Sequence, residues 1–189
     1  IIVYNEIRFI PILIKNKNHM IKKALTVMTR FEKGITFIAF AVLVVVMFTD
    51  VAVRELTGTG LHWSRQLGVY ANLFVVMFGL GVASSEGAHL RPKFADAWLP
   101  KNWDPVLIRV QEGIMSLFCL CFAIIASQVV IETFHDDVQS VVLRIVIWPF
   151  QAVIPLAFFM TSIRHFLYTI DPKNRPTVES SDELEGEQR

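Results

Sequence analysis

Four stretches of the chain are long and apolar enough to cross a membrane, and shorter polar segments separate them. The clearest is 67–85, where nineteen successive residues carry no charge while both flanks are strongly polar. At about 1.5 Å of rise per helical residue, such a run covers the roughly 30 Å of bilayer hydrocarbon. The pattern predicts an all-α integral membrane protein whose membrane domain, 35–168, has four transmembrane helices, at about 35–53, 67–85, 108–131 and 145–163.

The residues before the first predicted span have a different pattern. Between 20 and 34, apolar and basic residues are spaced as on a two-sided helix, which predicts an N-terminal amphipathic interfacial helix on the membrane surface. Its candidate lipid-contacting cations are Lys22, Lys23, Arg30 and Lys33. Residues 1–19 fit neither a span nor a signal peptide, and we expect them to be disordered or an upstream extension of a protein that starts at Met20. At the other end, 169–189 is broken by proline and then acidic, which predicts disorder.

Lysine and arginine are distributed unevenly between the two sides of the predicted spans. Fifteen of the eighteen lie before the first span, in the 86–112 hairpin or from Arg164 onward, and three lie in the opposite loops. The positive-inside rule then predicts that both termini and the hairpin face the cytoplasm. The four tryptophans fit this topology. The outer interface has Trp63 and Trp148, and the inner interface has the lipid-contacting candidates Trp98 and Trp103.

Composition agrees with a membrane protein and narrows the classes of function. Hydrophobic residues make up 53% of the 189 residues, and mean hydropathy is +0.49. A soluble domain is roughly 45–50% apolar and lacks long charge-free runs. The net charge of +1 gives no case for nucleic-acid binding. Cys119 and Cys121 lie two apart in an apolar helix, on different faces, so we interpret them as packing residues.

Patterns typical of catalysis or cofactor binding are missing from the sequence. It contains no nucleophile elbow, zinc-protease, phosphate-loop or dinucleotide motif. A membrane haem needs two histidines facing each other within spans, whereas all five histidines fall outside the predicted spans or at their edges. We therefore expect no enzyme activity, no cofactor and no metal. The membrane anchor of a redox complex is kept as an alternative hypothesis.

One acidic residue, Asp50, lies inside a predicted span. Arg54 follows one helical turn later, so the two side chains can form an ion pair while Arg54 extends towards the surface. An acid within a membrane can also be a proton site, which keeps open a self-sufficient four-helix exporter that uses Asp50. The position of Asp50 near the helix end, beside Arg54, favours a structural pair that positions a partner helix.

Small residues and proline indicate where helices approach one another. Gly79 and Ala83, one turn apart in the second span, form a small patch that allows close contact with another helix, in this chain or in a partner. Pro155 is expected to kink the fourth span and to free a backbone carbonyl. Arg164 and His165 are expected to lie just beyond the end of that span.

An ordered set of residues in and around the second span is typical of a known family. It comprises Arg54 ending the first span, Gly58 and Gly60 in the turn, Trp63 before the second span, Phe78-Gly79 within it, Gly87-Ala88-His89 at its exit, Leu99-Pro100, Trp148-Pro149 and Ile154-Pro155. With the predicted topology, this set resembles the small (Q, DctQ-like) subunit of tripartite ATP-independent periplasmic (TRAP) transporters over about 25–168. Gln66 is a departure, because the family usually has an acid there.

The resemblance implies a function that the apolar pattern alone does not. Subunits of this family support a large membrane (M) subunit that moves substrate by an elevator motion, and a soluble periplasmic (P) protein delivers the substrate. Transport is coupled to sodium, and the substrates are typically organic acids. The resemblance thus implies a non-catalytic subunit in the bacterial inner membrane, with M, P and membrane lipids as partners. Its candidate contact residues are Asp50, Arg54, Trp63, Gln66, Gly79, Ala83, His89 and Pro155.

Overall fold

The computed structural model describes residues 2–86 and 104–172, with side chains for 19–86 and 106–172. Regular structure in these ranges is helical, apart from one isolated antiparallel bridge between Gln139 and Val146. The helices are α1 (Ile2–Thr57), α2 (Ser64–Ser85), α3 (Asp104–His135), α4 (Trp148–Gln151) and α5 (Val153–Ile170). The predicted all-α class is therefore confirmed for the described part of the chain.

Four helical segments have the length and apolar composition needed to cross a membrane. They are His19–Thr57, Ser64–Ser85, Val106–His135 and Trp148–Ile170. Within the described residues the number of spans agrees with the prediction, but each segment extends beyond the predicted limits at one end at least. The fourth span begins at Trp148 rather than at 145 and ends at Ile170 rather than at 163. It can continue past 163 because polar residues in its second half are buried between helices instead of facing water.

The N-terminal part of the chain is continuous with the first span. Residues 2–18 belong to α1, and the interpretation of this part as disordered or as an upstream extension stays a prediction. The predicted interfacial segment 20–34 is also helical, and no break separates it from the span. Ile21 and Leu25 on its apolar side pack against Tyr168 of α5. Its four candidate lipid-contacting cations are all exposed, and their position at a membrane surface stays a prediction.

The spans pack as two antiparallel pairs that meet through α2 and α5. Helix α1 packs along α2, α3 packs along α5, and α2 contacts α5 to join the pairs. Much of the outward surface is apolar: Phe37 and Phe48 of α1 are each 73% exposed, and Val45 is 64% exposed. In a chain with four membrane-spanning helices, such side chains face lipid or another protein.

The interruption between α4 and α5 has a backbone cause. Pro155 lacks the N–H that would donate to the carbonyl of Gln151 in a continuous helix. The helix is accordingly broken at Ala152, between Gln151 and Val153, and Pro155 itself lies in the first turn of α5. An interruption at the kink predicted from Pro155 is thus present, three residues before the proline.

Two short connections close the bundle at the end where α1 leads into α2. Helix α1 ends in a left-handed turn, where Gly58 has φ +74° and its N–H donates to the carbonyl of Arg54 at 2.9 Å. The second connection, 136–147, is tightened by the N–H of Ser140 donating to the carbonyl of Ile145 at 2.8 Å. It begins later than the predicted loop at 132, because α3 continues to His135.

Candidate functional site

Asp50 is the centre of a polar cluster at the end of the bundle where α1 turns into α2. Its carboxylate is buried and accepts three hydrogen bonds: from Arg54 Nη2 at 2.6 Å, from the N–H of Leu61 at 2.8 Å and from Ser64 Oγ at 2.7 Å. A methyl group added to Gly60 would lie 3.0 Å from Asp50 Oδ1, so a side chain there would require Asp50 or Arg54 to shift slightly. We call these residues the Asp50 cluster.

The Asp50 cluster has the geometry of a helix-connecting structure. The predicted Asp50–Arg54 ion pair is confirmed, and the Arg54 side chain reaches outward with 58% of its surface exposed. The same carboxylate caps the loop that leads into α2, since it binds both Leu61 and Ser64. Trp63, the residue before α2, is 40% exposed and makes no side-chain capping bond. The contacts of the Asp50 carboxylate hold the α1–α2 hairpin together. This role fits a structural ion pair better than a proton-exchange site.

Replacing Asp50 with alanine should loosen this hairpin. The N–H of Leu61 would lose its acceptor, at a cost of about 1–3 kcal/mol, and the hydroxyl of Ser64 would keep only the carbonyl of Leu61 as an acceptor. We expect a lower thermal unfolding midpoint for the purified chain in mild detergent. Asp136→Ala is the matched control, because Asp136 is exposed at the same end of the bundle. Equal midpoints for the two variants would show that the cluster does not stabilise the fold.

Gln66 links α2 to the 136–147 connection. Its Nε2 donates to Tyr70 Oη at 3.0 Å and to Ser140 Oγ. Its Oε1 is buried and has no hydrogen-bond partner among the described residues. Gln66, at the position where the family usually has an acid, therefore makes neutral hydrogen bonds. One of them reaches Ser140, 74 residues away in the sequence.

A second polar cluster, at the opposite end of the bundle, is centred on Arg164. Its side chain is fully buried and donates through Nη2 to the carboxylate of Glu32 in α1 and through Nη1 to the carbonyl of Gly81 in α2. Glu32 is only 1% exposed. A methyl group added to Gly81 would overlap the Glu32 carboxylate, so this ion pair needs a glycine in the facing helix. We call this the Arg164 cluster.

His165, the next residue, extends the Arg164 cluster to α3. Its Nδ1 lies 2.6 Å from Glu112 Oε2, and its Nε2 lies 3.0 Å from Ser84 Oγ. One turn away, Ser116 and Ser162 each bind the other's carbonyl, at 3.0 and 2.9 Å. Polar contacts thus join α5 to α1, α2 and α3 at one level of the bundle.

The Arg164 cluster corrects the interpretation of the sequence. Arg164 and His165 were expected beyond the end of the fourth span, and both are buried inside the helical bundle. Without Arg164, fourteen basic residues remain on the predicted inner side against three, so the predicted orientation keeps its basis. Glu32 was not identified at all. The available signal was a group of polar residues in the second half of α5: Thr161, Ser162, Arg164 and His165.

The remaining candidate residues fall in different places. No described atom lies within 4 Å of a methyl group added to Gly79, so Gly79 makes no close helix contact within the described part of the chain. Neighbouring side chains come close instead at Gly81 and at Gly68. A methyl group added to Gly68 would lie 3.1 Å from Met47 Sδ. Ala83 is half-buried, and a partner contact through Gly79 and Ala83 stays a prediction. His89, Trp98 and Trp103 lie outside the described residues.

The arrangement offers contacts between helices and no reaction chemistry. Across 19–86 and 106–172, no three histidine, cysteine or acidic side chains converge as metal ligands would. The buried ionisable groups named above are held by partners on neighbouring helices or loops. These features define a multi-pass helical membrane protein whose internal polar groups fix its helices to one another.

Comparison with protein families gives the particular kind of membrane protein. Residues 43–171, more than half of the chain, match the family described as tripartite ATP-independent periplasmic transporters, DctQ component. The chain belongs to this family and is therefore a transporter component rather than an enzyme. The match includes the whole Asp50 cluster and all of the Arg164 cluster except Glu32. Comparisons with curated proteins and with solved structures found no match.

Proposed function

We propose that this chain is the small subunit that scaffolds the M subunit of a TRAP transporter in a bacterial inner membrane, with both termini in the cytoplasm. The complex would take up an organic acid, delivered by a P protein, in a sodium-coupled process. Family membership supports the transporter and its partners. Sodium coupling and the substrate class rest on the family resemblance, and the orientation rests on the distribution of lysine and arginine.

The observation that supports a scaffold is how the chain uses its polar groups in the membrane. Asp50, Glu32 and Arg164 are buried and engaged with neighbouring helices or loops. A subunit that carries substrate or protons itself needs such groups to exchange with a pathway, whereas Glu32 and Arg164 are closed off from solvent and the Asp50 carboxylate is held by three hydrogen bonds. The outward surface is largely apolar, as a subunit embedded between lipid and a larger partner requires.

The two alternatives receive less support from the same contacts. In the exporter hypothesis Asp50 exchanges protons, but its carboxylate already accepts three hydrogen bonds within its own chain. In the redox-anchor hypothesis a histidine binds haem iron. His165 is the buried histidine among the described residues, and both of its ring nitrogens contact protein groups.

Co-purification tests the proposed function. The tagged chain, expressed with the large multispan protein encoded beside it, should retain that protein in mild detergent. The chain alone, reconstituted in liposomes, should take up no organic acid, whereas the complete set with the P protein and a sodium gradient should. Uptake by the chain alone would support the exporter instead. Failure to retain any large partner in several mild detergents would contradict the scaffold role.

Gly79→Leu tests where the partner binds. Because a Cβ atom added at Gly79 meets no described atom within 4 Å, the variant should fold normally, with an unchanged circular dichroism spectrum and unfolding midpoint. If Gly79 and Ala83 receive a helix of the M subunit, capture of M should fall severalfold, and less so for Gly79→Ala. Full capture by Gly79→Leu would exclude this face from the contact while leaving the subunit role untouched.

A further inference from the structure

A cavity of about 1000 Å³ opens beside the Asp50 cluster, between the start of α2 and the 136–147 connection. Its lining includes Arg54, His62, Arg65, Gln66 and Tyr70. Asp50 is the one acidic residue of the lining, and it is bound to Arg54. Arg65 is exposed and forms no ion pair with the side chains of 19–86 or 106–172. The cavity therefore has surplus positive charge, and guanidinium groups bind phosphate oxygens well.

A smaller apolar groove of about 290 Å³ runs along the outside of α1 and α2. Ile38 and Val42 of α1 and Phe74 of α2 contribute to its lining, with Phe150 of α4 at one side. The α1 residues of the groove extend from 35 to 42, which is about 10 Å of helix length and hence of membrane depth. Because its lining is almost entirely apolar, the groove suits an apolar, chain-like group and has few hydrogen-bonding partners for a polar one.

Tyr70 lines both the cavity and the groove and marks their junction. Its hydroxyl is on the polar side, where Gln66 Nε2 donates to it at 3.0 Å. Its ring is on the apolar side and stacks on Phe150, with ring centroids 4.2 Å apart. A tyrosine with one wet end and one apolar face is typical of the boundary between lipid headgroups and hydrocarbon.

We propose that the cavity and groove together bind one anionic phospholipid. Its phosphate lies in the cavity against Arg65 and the exposed side of Arg54, and one acyl chain passes Tyr70 into the groove beside Val42. A free organic anion would fill the cavity alone and leave the groove empty. An acyl chain gains little by moving from bilayer hydrocarbon into an apolar groove. The headgroup contacts therefore decide which lipid binds. The proposal does not depend on the transporter role.

Native mass spectrometry of the purified full chain tests this site. In mild detergent with added lipid, the chain should retain phosphatidylglycerol about tenfold better than phosphatidylcholine, since the quaternary ammonium of the zwitterion offsets the attraction of its phosphate to Arg54 and Arg65. Arg65→Gln should reduce phosphatidylglycerol retention by a similar factor, and Val42→Trp should reduce it by filling the groove. The controls are Arg109→Gln, an exposed arginine on α3, and Val45→Trp, on another face of α1.

Three outcomes would overturn the proposal. Equal retention of the two lipids would remove the role of the arginines. Full retention by Val42→Trp, together with displacement of the lipid by millimolar inorganic phosphate, would indicate a free-anion site without a lipid. In cells, a photo-crosslinking amino acid in place of Val42 should label lipid, and labelling of a partner protein instead would show that the groove is a protein contact. Unchanged circular dichroism spectra establish that each variant is folded.

Discussion

Arg164→Met is expected to prevent recovery of the folded chain or to lower its stability by about 3–5 kcal/mol, because it leaves the buried Glu32 carboxylate without its partner. Glu32 and Arg164 are 1% and 0% exposed, so water cannot replace the lost contact. Domains are typically stable by only about 5–15 kcal/mol. The measurements are the yield of monodisperse protein in detergent and its thermal unfolding midpoint.

Two further variants separate charge from packing in this prediction. Glu32→Met combined with Arg164→Met removes both charges and should recover much of the loss, since apolar replacements for a buried pair are often neutral. If the single and double variants lose yield and stability equally, the cause is altered side-chain packing rather than the unpaired charge. Glu86→Gln is the exposed control: Glu86 pairs with Lys33 at 2.8 Å with both side chains more than half exposed, and such pairs contribute about 0–1 kcal/mol.

Gly81→Ala is expected to destabilise the chain by about 1–3 kcal/mol through overpacking. The added methyl group would overlap the Glu32 carboxylate and push it away from Arg164. Gly79→Ala is the matched control, because it makes the same change on the same helix with no described atom within 4 Å. Its unfolding midpoint should be unchanged or slightly raised, since alanine has the higher helix propensity.

A double-mutant cycle checks the stated cause of the Gly81 effect. In a background with Glu32→Ala and Arg164→Met, the carboxylate is gone and no buried charge is left unpaired, so Gly81→Ala should cost much less than it does in the unmodified chain. An unchanged cost would mean that the methyl group disturbs something other than Glu32. If Gly79→Ala and Gly81→Ala lower the midpoint equally, the close approach at Gly81 has no energetic consequence.

Several features of this protein were predictable because they depend on neighbours in the sequence. Asp50 and Arg54 are one helical turn apart, and their pair forms at 2.6 Å as expected. The kink predicted from Pro155 is local for the same reason. Proline has no N–H to donate to the carbonyl of Gln151, four residues earlier. The resemblance to DctQ subunits, carried by short motifs such as Gly58, Gly60 and Trp63, is confirmed by the family match.

Other features could not be predicted because they join distant positions. Gln66 was identified as a departure from the family, but Ser140, its partner 74 residues away, has no mark in the sequence. The small-residue pattern drew attention to Gly79, whereas Gly81 holds the close contact. Successive helical positions differ by about 100°, so residues two apart face different neighbours, and only packing decides which of them meets α1.

The sequence by itself determined that this chain has four membrane-spanning helices, where most of their apolar residues lie, and which family it belongs to. Hydropathy and short motifs suffice for these because they are local properties. Only the tertiary structure decided what Arg164 does. Read along the sequence, it is a basic residue at the end of a span, free to reach water. In the fold it is buried against Glu32, 132 residues away, because the depth and rotation of α5 are set by the helices that pack against it.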